Sequence, residues 1–386
     1  MRKVMTVVGT RPELIKMCRV IDLFDRQTRH VLVHTGQNYD YELNQVFFDE
    51  LRIRKPDHFL EAAAATAAAT IARVIERVDD VLAAEAPEAV LIYGDTNSCL
   101  AVIAAKRRKI PIFHMEAGNR CFDARVPEEV NRKIVDHLSD VNITITEHAR
   151  RYLLAENLPA DRVFALGSHL PEVFEAFAGE IAGSDVLGRL GLEAGRYFLV
   201  SAHREENVDA PVRLRQLLDA LNGLAEAYDL PVLVSTHPRT RARLEAVGGT
   251  ALDPRLRFEK PFGFFDYVHL QQQARCVLSD SGTITEESAI LGFPAVTIRD
   301  THERPEGMDE GVVIMCGLGR EPVLDAVRLA LAEAAAGRRA ARVDAYNRGD
   351  VSWKLLKLVH SYIPYVQETV WRQPPASGTP VDEAHQ

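Results

Sequence analysis

The stretch AVLIYGDTNS (89–98) contains the pattern that decides the fold. Its apolar run ends abruptly at Gly94 and Asp95, and IFHMEAGNR (112–120) changes in the same way at Glu116. A short apolar, β-branched run that stops at a polar turn is typical of a buried strand in a parallel sheet. Ligands bind beyond the carboxyl ends of such strands, so the residues after each run are the first candidates for a site.

Equivalent runs occur along the whole chain and alternate with longer Ala- and Leu-rich segments of helical period, which predicts βαβ units. In the first half we predict strands at Val4–Val8, His30–His34, Ala89–Tyr93, Ile112–Met115 and Val141–Ile145, the last of which closes the first set. In the second half we predict strands at Tyr197–Ser201, Val232–Ser235, Cys276–Leu278 and Ala295–Ile298. Helices are expected from about Pro12 and over the alanine-rich stretch 61–85.

The chain of 386 residues is too long for one average domain, so two domains are expected. A connector rich in Gly and Pro near 167–195 separates the two sets of strands. We predict a Rossmann-like domain at 1–168, a second one at 169–351, closing helices at about 352–372 that pack back on the first domain, and a disordered tail at 373–386. The two parallel sheets are expected to face each other across a central cleft.

Composition excludes several function classes. The net charge of −9 argues against a nucleic-acid partner or an anionic membrane surface, since both require a basic face. The five cysteines are odd in number and contain no C-x-x-C pair, so neither a disulfide framework nor structural zinc is expected. No run approaches the roughly 18–20 apolar residues of a membrane span, and the first apolar run is too short for a signal peptide. We expect a cytoplasmic protein.

Two strand-to-helix turns are candidate phosphate sites. In DSGTITEES (280–288), small residues allow close approach of a ligand to backbone N–H groups at a helix start. The alternative for this segment is an ordinary helix cap by Ser281 or Thr283 with Glu286 as its capping-box partner. Glu287, one turn into the helix, is a candidate acceptor for ribose hydroxyls.

The second turn is GTRPE (9–13), where Arg11 and Lys16 place two cations beside a helix start and so suit a diphosphate. Neither this turn nor any other carries the G-x-G-x-x-G pattern of a dinucleotide fold or the P-loop signature. The sequence therefore gives no support for nicotinamide chemistry or ATP hydrolysis, and we expect no cofactor.

Acid–base candidates follow the predicted strands or stand near them, and they are Asp95, Glu116, Glu128, Glu129, His203 and His237. Asp95 and Glu116 follow strands that are neighbours in the sequence, and two nearby carboxylates hold a proton more readily than one. Such a pair suits the removal of a weakly acidic C–H proton. No His-x-His or His-x-x-x-His pair accompanies His203 or His237, so no metal site is predicted.

With these residues in hand, the chain resembles the non-hydrolysing UDP-N-acetylglucosamine 2-epimerase family. The resemblance extends from about residue 3 to about residue 320, and eight ordered motifs carry it: GTRPELIK (9–16), HTGQ (34–37), GDTNS (94–98), HMEAGNR (114–120), PEEVNR (127–132), HREEN (203–207), DSGTITEES (280–288) and HERPEG (302–307). This family has a GT-B-like fold of two Rossmann-like domains. The resemblance implies an isomerase, and it also implies a homodimer.

The resemblance also implies the roles of individual residues. A base removes the C2 proton while UDP leaves C1, and UDP then adds back to the 2-acetamidoglycal as a proton arrives on the other face. By position, the acid–base residues are Asp95, Glu116 and Glu128, with His203 assisting. UDP is held by Arg11, Lys16, His237, Ser281, Gly282, Glu287 and Arg304.

Two long segments, 34–48 and 116–140, resemble the branch that forms UDP-N-acetyl-L-fucosamine from UDP-2-acetamido-2,6-dideoxy-L-talose for O-antigen or capsule. Other substrates in the family are the alternatives, namely UDP-N-acetylglucosamine with UDP-N-acetylmannosamine, and UDP-2,3-diacetamido-glucuronate. A GT-B glycosyltransferase, which requires an acceptor, is the alternative from another class.

Overall fold

The computed structural model describes residues 1–37, 41–236, 252–338 and 342–373, and at 41–45 and 205–206 it describes the backbone only. The chain divides into two compact units. Unit 1 comprises Met1–Gly118, Ala124–Leu166 and the chain from Asp350 onward, and unit 2 comprises Asn119–Asp123 and Gly167–Gly349. Within the described ranges no helix is both long enough and apolar enough to cross a membrane.

Unit 1 is built on a seven-stranded parallel sheet of order β3-β2-β1-β4-β5-β6-β7. Its strands are β1 Lys3–Val8, β2 Arg29–His34, β3 His58–Phe59, β4 Ala89–Tyr93, β5 Ile112–Met115, β6 Val141–Thr144 and β7 Val163–Ala165. Its helices are α1 Arg11–Gln27, α2 Tyr41–Glu50, α3 Ala67–Glu85, α4 Val102–Arg107, α5 Pro127–Leu138 and α6 Glu147–Ala155, and the chain ends in the helix Val351–Thr369, which packs on α1.

Unit 2 is built on a six-stranded parallel sheet of order β10-β9-β8-β11-β12-β13. Its strands are β8 Phe198–Ser201, β9 Val232–Ser235, β10 Leu256–Glu259, β11 Cys276–Ser279, β12 Ala295–Thr297 and β13 Ile314–Met315. Its helices are α7 Leu170–Ala176, α8 Ala178–Ala182, α9 Val186–Leu190, α10 Glu205–Val208, α11 Pro211–Tyr228, α12 Phe264–Gln273, α13 Ile284–Leu291, α14 Pro305–Asp309 and α15 Arg320–Ala335, so that the closing helix of unit 1 is α16.

The prediction of two parallel-sheet α/β domains is confirmed, and each sheet reverses its strand order as doubly wound folds do. Four strands escaped prediction, namely β3, β7, β10 and β13. All four are edge strands of two to four residues, too short to give an apolar run. The prediction that Val141–Ile145 closes the first set is wrong, because β7 follows it and pairs with β6.

The helix predicted over 61–85 begins only at Ala67, where the Thr66 side chain accepts a hydrogen bond from the N–H of Ala69 at 3.1 Å. The preceding residues bond instead to the end of β2, with the N–H of Ala62 donating to the Thr35 carbonyl at 2.8 Å. Alanine-rich sequence favours a helix, but these backbone groups are satisfied by the sheet edge.

The turn between β1 and α1 is built around a buried carboxylate, Glu13, which is 3% exposed. It accepts hydrogen bonds from the backbone N–H groups of Gly9 and Thr10 and from the hydroxyl of Thr96, which follows β4. Burial raises the pKa of Glu13 to about 7, although these hydrogen bonds oppose the shift. Glu13 thereby joins the turns that follow two neighbouring strands.

The raised pKa of Glu13 predicts a specific dependence of stability on pH. A carboxyl group whose pKa is higher in the folded chain stabilises the fold at low pH, and this contribution disappears as the pH rises through about 7. Relative to Glu13→Gln, which keeps the shape of the side chain, the wild type should gain roughly 2–3 kcal/mol in free energy of unfolding between about pH 8 and about pH 4.5. Urea unfolding of both proteins across this range measures the difference.

The matched control for this comparison is Glu147→Gln, because Glu147 lies at the start of α6 with a side chain 46% exposed. Its unfolding curve should follow that of the wild type at every pH. Parallel pH profiles for Glu13→Gln and the wild type would show that the buried carboxyl does not bind its proton more tightly in the folded chain.

Candidate functional site

Asp95 lies just beyond β4 at the carboxyl edge of the first sheet, and α5 holds it there. The guanidinium of Arg132 donates to its carboxylate from Nη2 at 2.7 Å and from Nε at 3.1 Å. The Asn131 side-chain amide donates to the Asp95 carbonyl at 3.0 Å, which fixes the backbone of the same turn. A two-point contact from a planar guanidinium orients a carboxylate as well as neutralising it.

Glu116 follows β5, the next strand of the sheet, and its carboxylate pairs with Lys16. The ammonium of Lys16 lies 2.9 Å from Oε1 and 3.1 Å from Oε2, and it sits 5.4 Å from the centre of the Tyr93 ring. Both charged side chains are largely buried, 6% exposed for the lysine and 12% for the glutamate. Lys16, predicted to hold a diphosphate, is thus placed against a predicted acid–base residue.

The backbone at Glu116 is strained, because its φ of +65° lies in the left-handed region that a residue with a Cβ rarely adopts. The turn continues to Gly118, which has a φ of +81° and where a Cβ would lie 2.4 Å from the Ala149 carbonyl oxygen. A strained residue that packing holds in place is a feature of functional sites. The conformation directs the Glu116 side chain back over the sheet edge toward Lys16.

Parallel register brings Asp95 and Glu116 to one edge of the sheet. Tyr93 of β4 pairs with Met115 of β5, and the N–H of Gly94 donates to the Met115 carbonyl at 2.9 Å. The two acidic residues therefore leave neighbouring strands at the same level, as the sequence predicted.

Glu128 and Glu129 open α5 but differ in their surroundings. Glu129 is 1% exposed and accepts a hydrogen bond from Arg132 Nη1 at 2.9 Å, which makes it part of the support for that guanidinium. Glu128 is half-buried and lies one helical turn before Arg132, on the helix face that contacts the Asp95 turn. Arg11 stands at the start of α1, with its guanidinium 5.6 Å from the centre of the Phe47 ring.

In unit 2, His203 follows β8 and is oriented by Asp280, which follows the adjacent strand β11. Its Nδ1 lies 3.2 Å from Asp280 Oδ1, and the His203 side chain is half exposed while the aspartate is fully buried. The same carboxylate accepts from the backbone N–H groups of His203 and Arg204 and from the Asn207 amide. A carboxylate beside Nδ1 leaves Nε2 of the ring available for proton transfer.

The turn at 281–283 presents small residues and backbone N–H groups before α13. Ser281 Oγ lies 2.9 Å from Thr283 Oγ1, and a Cβ at Gly282 would lie 2.2 Å from Glu303 Oε1, so a larger residue would require the Glu303 carboxylate to move. Glu303 itself is held by Arg299 at 2.6 Å. The arrangement suits the approach of an anion to the backbone.

The alternative interpretation of this segment, a capping box with Glu286, is wrong. Glu286 is fully buried, accepts a hydrogen bond from the Ser168 hydroxyl and lies 3.5 Å from the guanidinium of Arg304. Arg304, predicted to bind UDP, is 3% exposed and stands at the start of α14. The buried charges of Glu286 and Arg304 are therefore paired with each other within unit 2.

Two predicted ligand residues remain, Glu287 and His237. Glu287 is half-buried, and its carboxylate accepts a hydrogen bond at 2.6 Å from the side-chain amide of Gln271, which is fully buried on α12. His237 lies outside the described residues. No cluster of three or more His, Cys, Asp or Glu side chains positioned for a metal occurs within 1–37, 41–236, 252–338 and 342–373.

Sequence reasoning missed three residues that shape these sites, namely Arg132, Asp280 and Glu303. Arg132 closes the motif PEEVNR and stands four positions after Glu128, a spacing that places both on one helix face. Asp280 follows a strand directly, which is the signal used for the other candidates. For Glu303 the sequence holds no signal, because its closeness to Gly282 depends on tertiary packing.

Comparison with known proteins places this chain in one family. Residues 23–360 match the family described as UDP-N-acetylglucosamine 2-epimerase. The UDP-2,3-diacetamido-2,3-dideoxy-D-glucuronate 2-epimerase of Pseudomonas aeruginosa is 34% identical over 335 residues, which are 85% of this chain and 92% of that protein.

Solved structures agree with this assignment. The structure of UDP-N-acetylglucosamine 2-epimerase from Rickettsia bellii has 57% sequence identity and a TM-score of 0.90, covering 97% of this chain and 100% of that one. The Methanocaldococcus jannaschii UDP-GlcNAc 2-epimerase in complex with UDP-GlcNAc and UDP has 29% identity and a TM-score of 0.86, covering 93% and 99%. With its GT-B-like pair of parallel-sheet domains, this chain belongs to the UDP-N-acetylglucosamine 2-epimerase family, whose members are isomerases of UDP-sugars.

Proposed function

We propose that this protein inverts C2 of a UDP-linked 2-acetamido sugar by eliminating UDP and adding it back. The observation that carries the proposal is the pair of ion-paired carboxylates, Asp95 and Glu116, that follow neighbouring strands of one sheet. One carboxylate accepts the C2 proton while the C1–O bond breaks toward UDP. The other gives a proton to the opposite face of C2 as a UDP oxygen re-forms the bond to C1, so no atom is gained or lost.

Glu128 and His203 complete the proposed acid–base set, and the remaining predicted residues hold UDP. Glu128 shares a helix face with Arg132, the partner of Asp95. His203 is backed by the buried carboxylate of Asp280, which suits an imidazole that assists the leaving diphosphate. The proposed UDP ligands are Arg11, Lys16, His237, Ser281, Gly282, Glu287 and Arg304.

Charge stabilisation of the leaving diphosphate is the main requirement of this mechanism. A C2 proton beside an acetamido group is weakly acidic, so the barrier falls only if negative charge on the departing phosphate is stabilised in the same step. The small-residue turn before α13 supplies backbone N–H groups, and Arg11 of the proposed set supplies positive charge. None of these steps transfers electrons to or from the sugar as a whole.

Our first choice of substrate is UDP-2-acetamido-2,6-dideoxy-L-talose, giving UDP-N-acetyl-L-fucosamine for a surface polysaccharide such as O-antigen or capsule. The segments 34–48 and 116–140 support this choice. UDP-N-acetylglucosamine and a UDP-2,3-diacetamido-glucuronate are the alternatives, and the names of the relatives favour them. We place the reaction in the cytoplasm.

Incubation with each of these UDP-sugars in D2O tests both the reaction and the substrate. We expect deuterium at C2 of the epimerised product, without an added acceptor, nicotinamide or metal, and the fastest conversion for the L-talo sugar. NMR of each mixture measures the label and the ratio of epimers. Product that forms only with an acceptor sugar, or product without deuterium at C2, would assign the chain to the glycosyltransferases instead.

Substitution of the two carboxylates tests their proposed roles. Asp95→Asn and Glu116→Gln keep side-chain shape but remove the proton acceptor, so each should lower turnover by at least ~100-fold. Affinity for UDP, measured by calorimetry, should stay within about 3-fold of the wild type because neither side chain is proposed as a UDP ligand.

Matched controls are Asp22→Asn on the exposed face of α1 and Glu147→Gln on α6, whose side chains are 40% and 46% exposed. Both should turn over at the wild-type rate. A wild-type rate in Asp95→Asn or Glu116→Gln would remove that residue from the mechanism.

We further infer a homodimer from the resemblance to this family. Light scattering coupled to gel filtration should give twice the mass of the 386-residue chain at micromolar concentration. A mass equal to one chain across the accessible concentration range would contradict this inference.

A further inference from the structure

A buried histidine, His114, lies beneath the two turns that carry Asp95 and Glu116. It belongs to β5 and is fully buried. Its Nε2 lies 2.8 Å from the carbonyl oxygen of Gly94, the residue directly before Asp95. Because a carbonyl oxygen only accepts hydrogen bonds, this nitrogen carries the hydrogen. A side chain of the neighbouring strand β5 thus forms a hydrogen bond with the turn after β4.

The other nitrogen of the same ring faces Asp136 of α5. His114 Nδ1 lies 2.9 Å from Asp136 Oδ1, and the aspartate is also fully buried. Its carboxylate accepts hydrogen bonds from the N–H of Gly118 at 3.2 and 3.3 Å. A chain of contacts therefore runs from the Gly94 carbonyl to the Gly118 amide, with hydrogen bonds at both ends and a close contact between the ring and the carboxylate, without hydrogen-bond geometry, in the middle.

Each end of this chain is a glycine in a left-handed turn, with φ of +75° at Gly94 and +81° at Gly118. Glycine gives such turns no steric restriction of its own, so their geometry depends on the contacts they make. Asp95 follows the first glycine directly, and Glu116 precedes the second by two residues. The His114–Asp136 pair consequently fixes the backbone positions of the two carboxylates relative to each other.

The role of the His114–Asp136 pair differs from that of the ion pairs made by Asp95 and Glu116. Arg132 and Lys16 orient the carboxylate groups themselves, from α5 and α1. Lys16 pairs with Glu116, whereas Arg132 pairs with Asp95 and with Glu129 of its own helix, so these ion pairs act on the carboxylate groups and not on the backbone of the two turns. A proton leaves one face of C2 and arrives on the other, so an error of about 1 Å in that separation can lower the rate by about 100-fold.

We propose that His114 and Asp136 are positioning residues for the C2 epimerisation, an inference that rests on the proposed function. The pair holds the proton-accepting and proton-donating carboxylates at one fixed separation and does not touch the sugar. Its loss uncouples removal of the C2 proton from its return on the opposite face, while affinity for UDP is preserved.

The experiment compares His114→Gln with His114→Leu. The glutamine amide N–H can replace the Nε2 donor toward Gly94, whereas leucine fills similar space without a donor. We expect kcat to fall roughly 10- to 100-fold in the leucine variant and to stay within about 3-fold of the wild type in the glutamine variant. The dissociation constant for UDP should change less than about 3-fold in both.

Partial unfolding of the leucine variant would also lower kcat, so a second measurement is made in D2O. The ratio of deuterium in recovered substrate to deuterium in product does not depend on how much enzyme is folded. Loss of positioning changes this ratio in His114→Leu and leaves it at the wild-type value in His114→Gln. An unchanged ratio in the leucine variant, or an equal loss of kcat in both variants, would overturn the proposal.

A third measurement needs no activity. Hydrogen exchange at the Gly118 amide, followed by mass spectrometry of the peptide that contains it, should accelerate at least about 10-fold in His114→Leu, because leucine has no polar atom toward Asp136. If the wild type epimerises no UDP-sugar, the proposed function is wrong. The exchange result would still report on the positioning contact in that case. Equal protection of Gly118 in all three proteins would defeat the positioning contact while the proposed function stands.

Discussion

Lys16 and Arg132 each neutralise a carboxylate at the carboxyl edge of the first sheet, and the arrangement of that edge depends on these two ion pairs. Moving a charged group out of water costs several kcal/mol unless a partner and hydrogen bonds replace the lost solvation. Two acidic side chains on neighbouring strands would also repel each other. With a cation on each, Glu116 and Asp95 can lie on neighbouring strands at a mostly enclosed edge, as the acid–base roles proposed for them require.

In unit 2, a buried carboxylate is stabilised mainly by neutral hydrogen-bond donors. Asp280 is fully buried, and backbone N–H groups together with the Asn207 amide satisfy it. Because those donors belong to the turn after β8, the carboxylate also fixes the position of His203. The half-exposed imidazole is therefore held by a buried anion.

These residues specify the proposed reaction more closely than they specify the sugar. In the proposed mechanism, bonds break at C1 and C2 beside the diphosphate, and all UDP-2-acetamido sugars share these atoms. Substituents at C3, C5 and C6 distinguish those sugars and lie away from the reacting atoms. Relatives named for different UDP-sugars accordingly resemble this chain over more than four-fifths of its length.

The sequence by itself determined the alternation of strands and helices, the division into two α/β domains and the polar residues beyond the carboxyl ends of the central strands. These features are local, because a buried parallel strand must be apolar and must end in a turn. Tertiary structure decided the edge strands β3, β7, β10 and β13, the late start of α3 and the partners of the charged residues. Pairing of Lys16 with Glu116, or of Glu286 with Arg304, joins residues far apart in the chain, and the contact of His114 with Gly94 and Asp136 depends on strand register and helix packing. Such contacts follow from three-dimensional proximity, which residue types and local spacing do not encode.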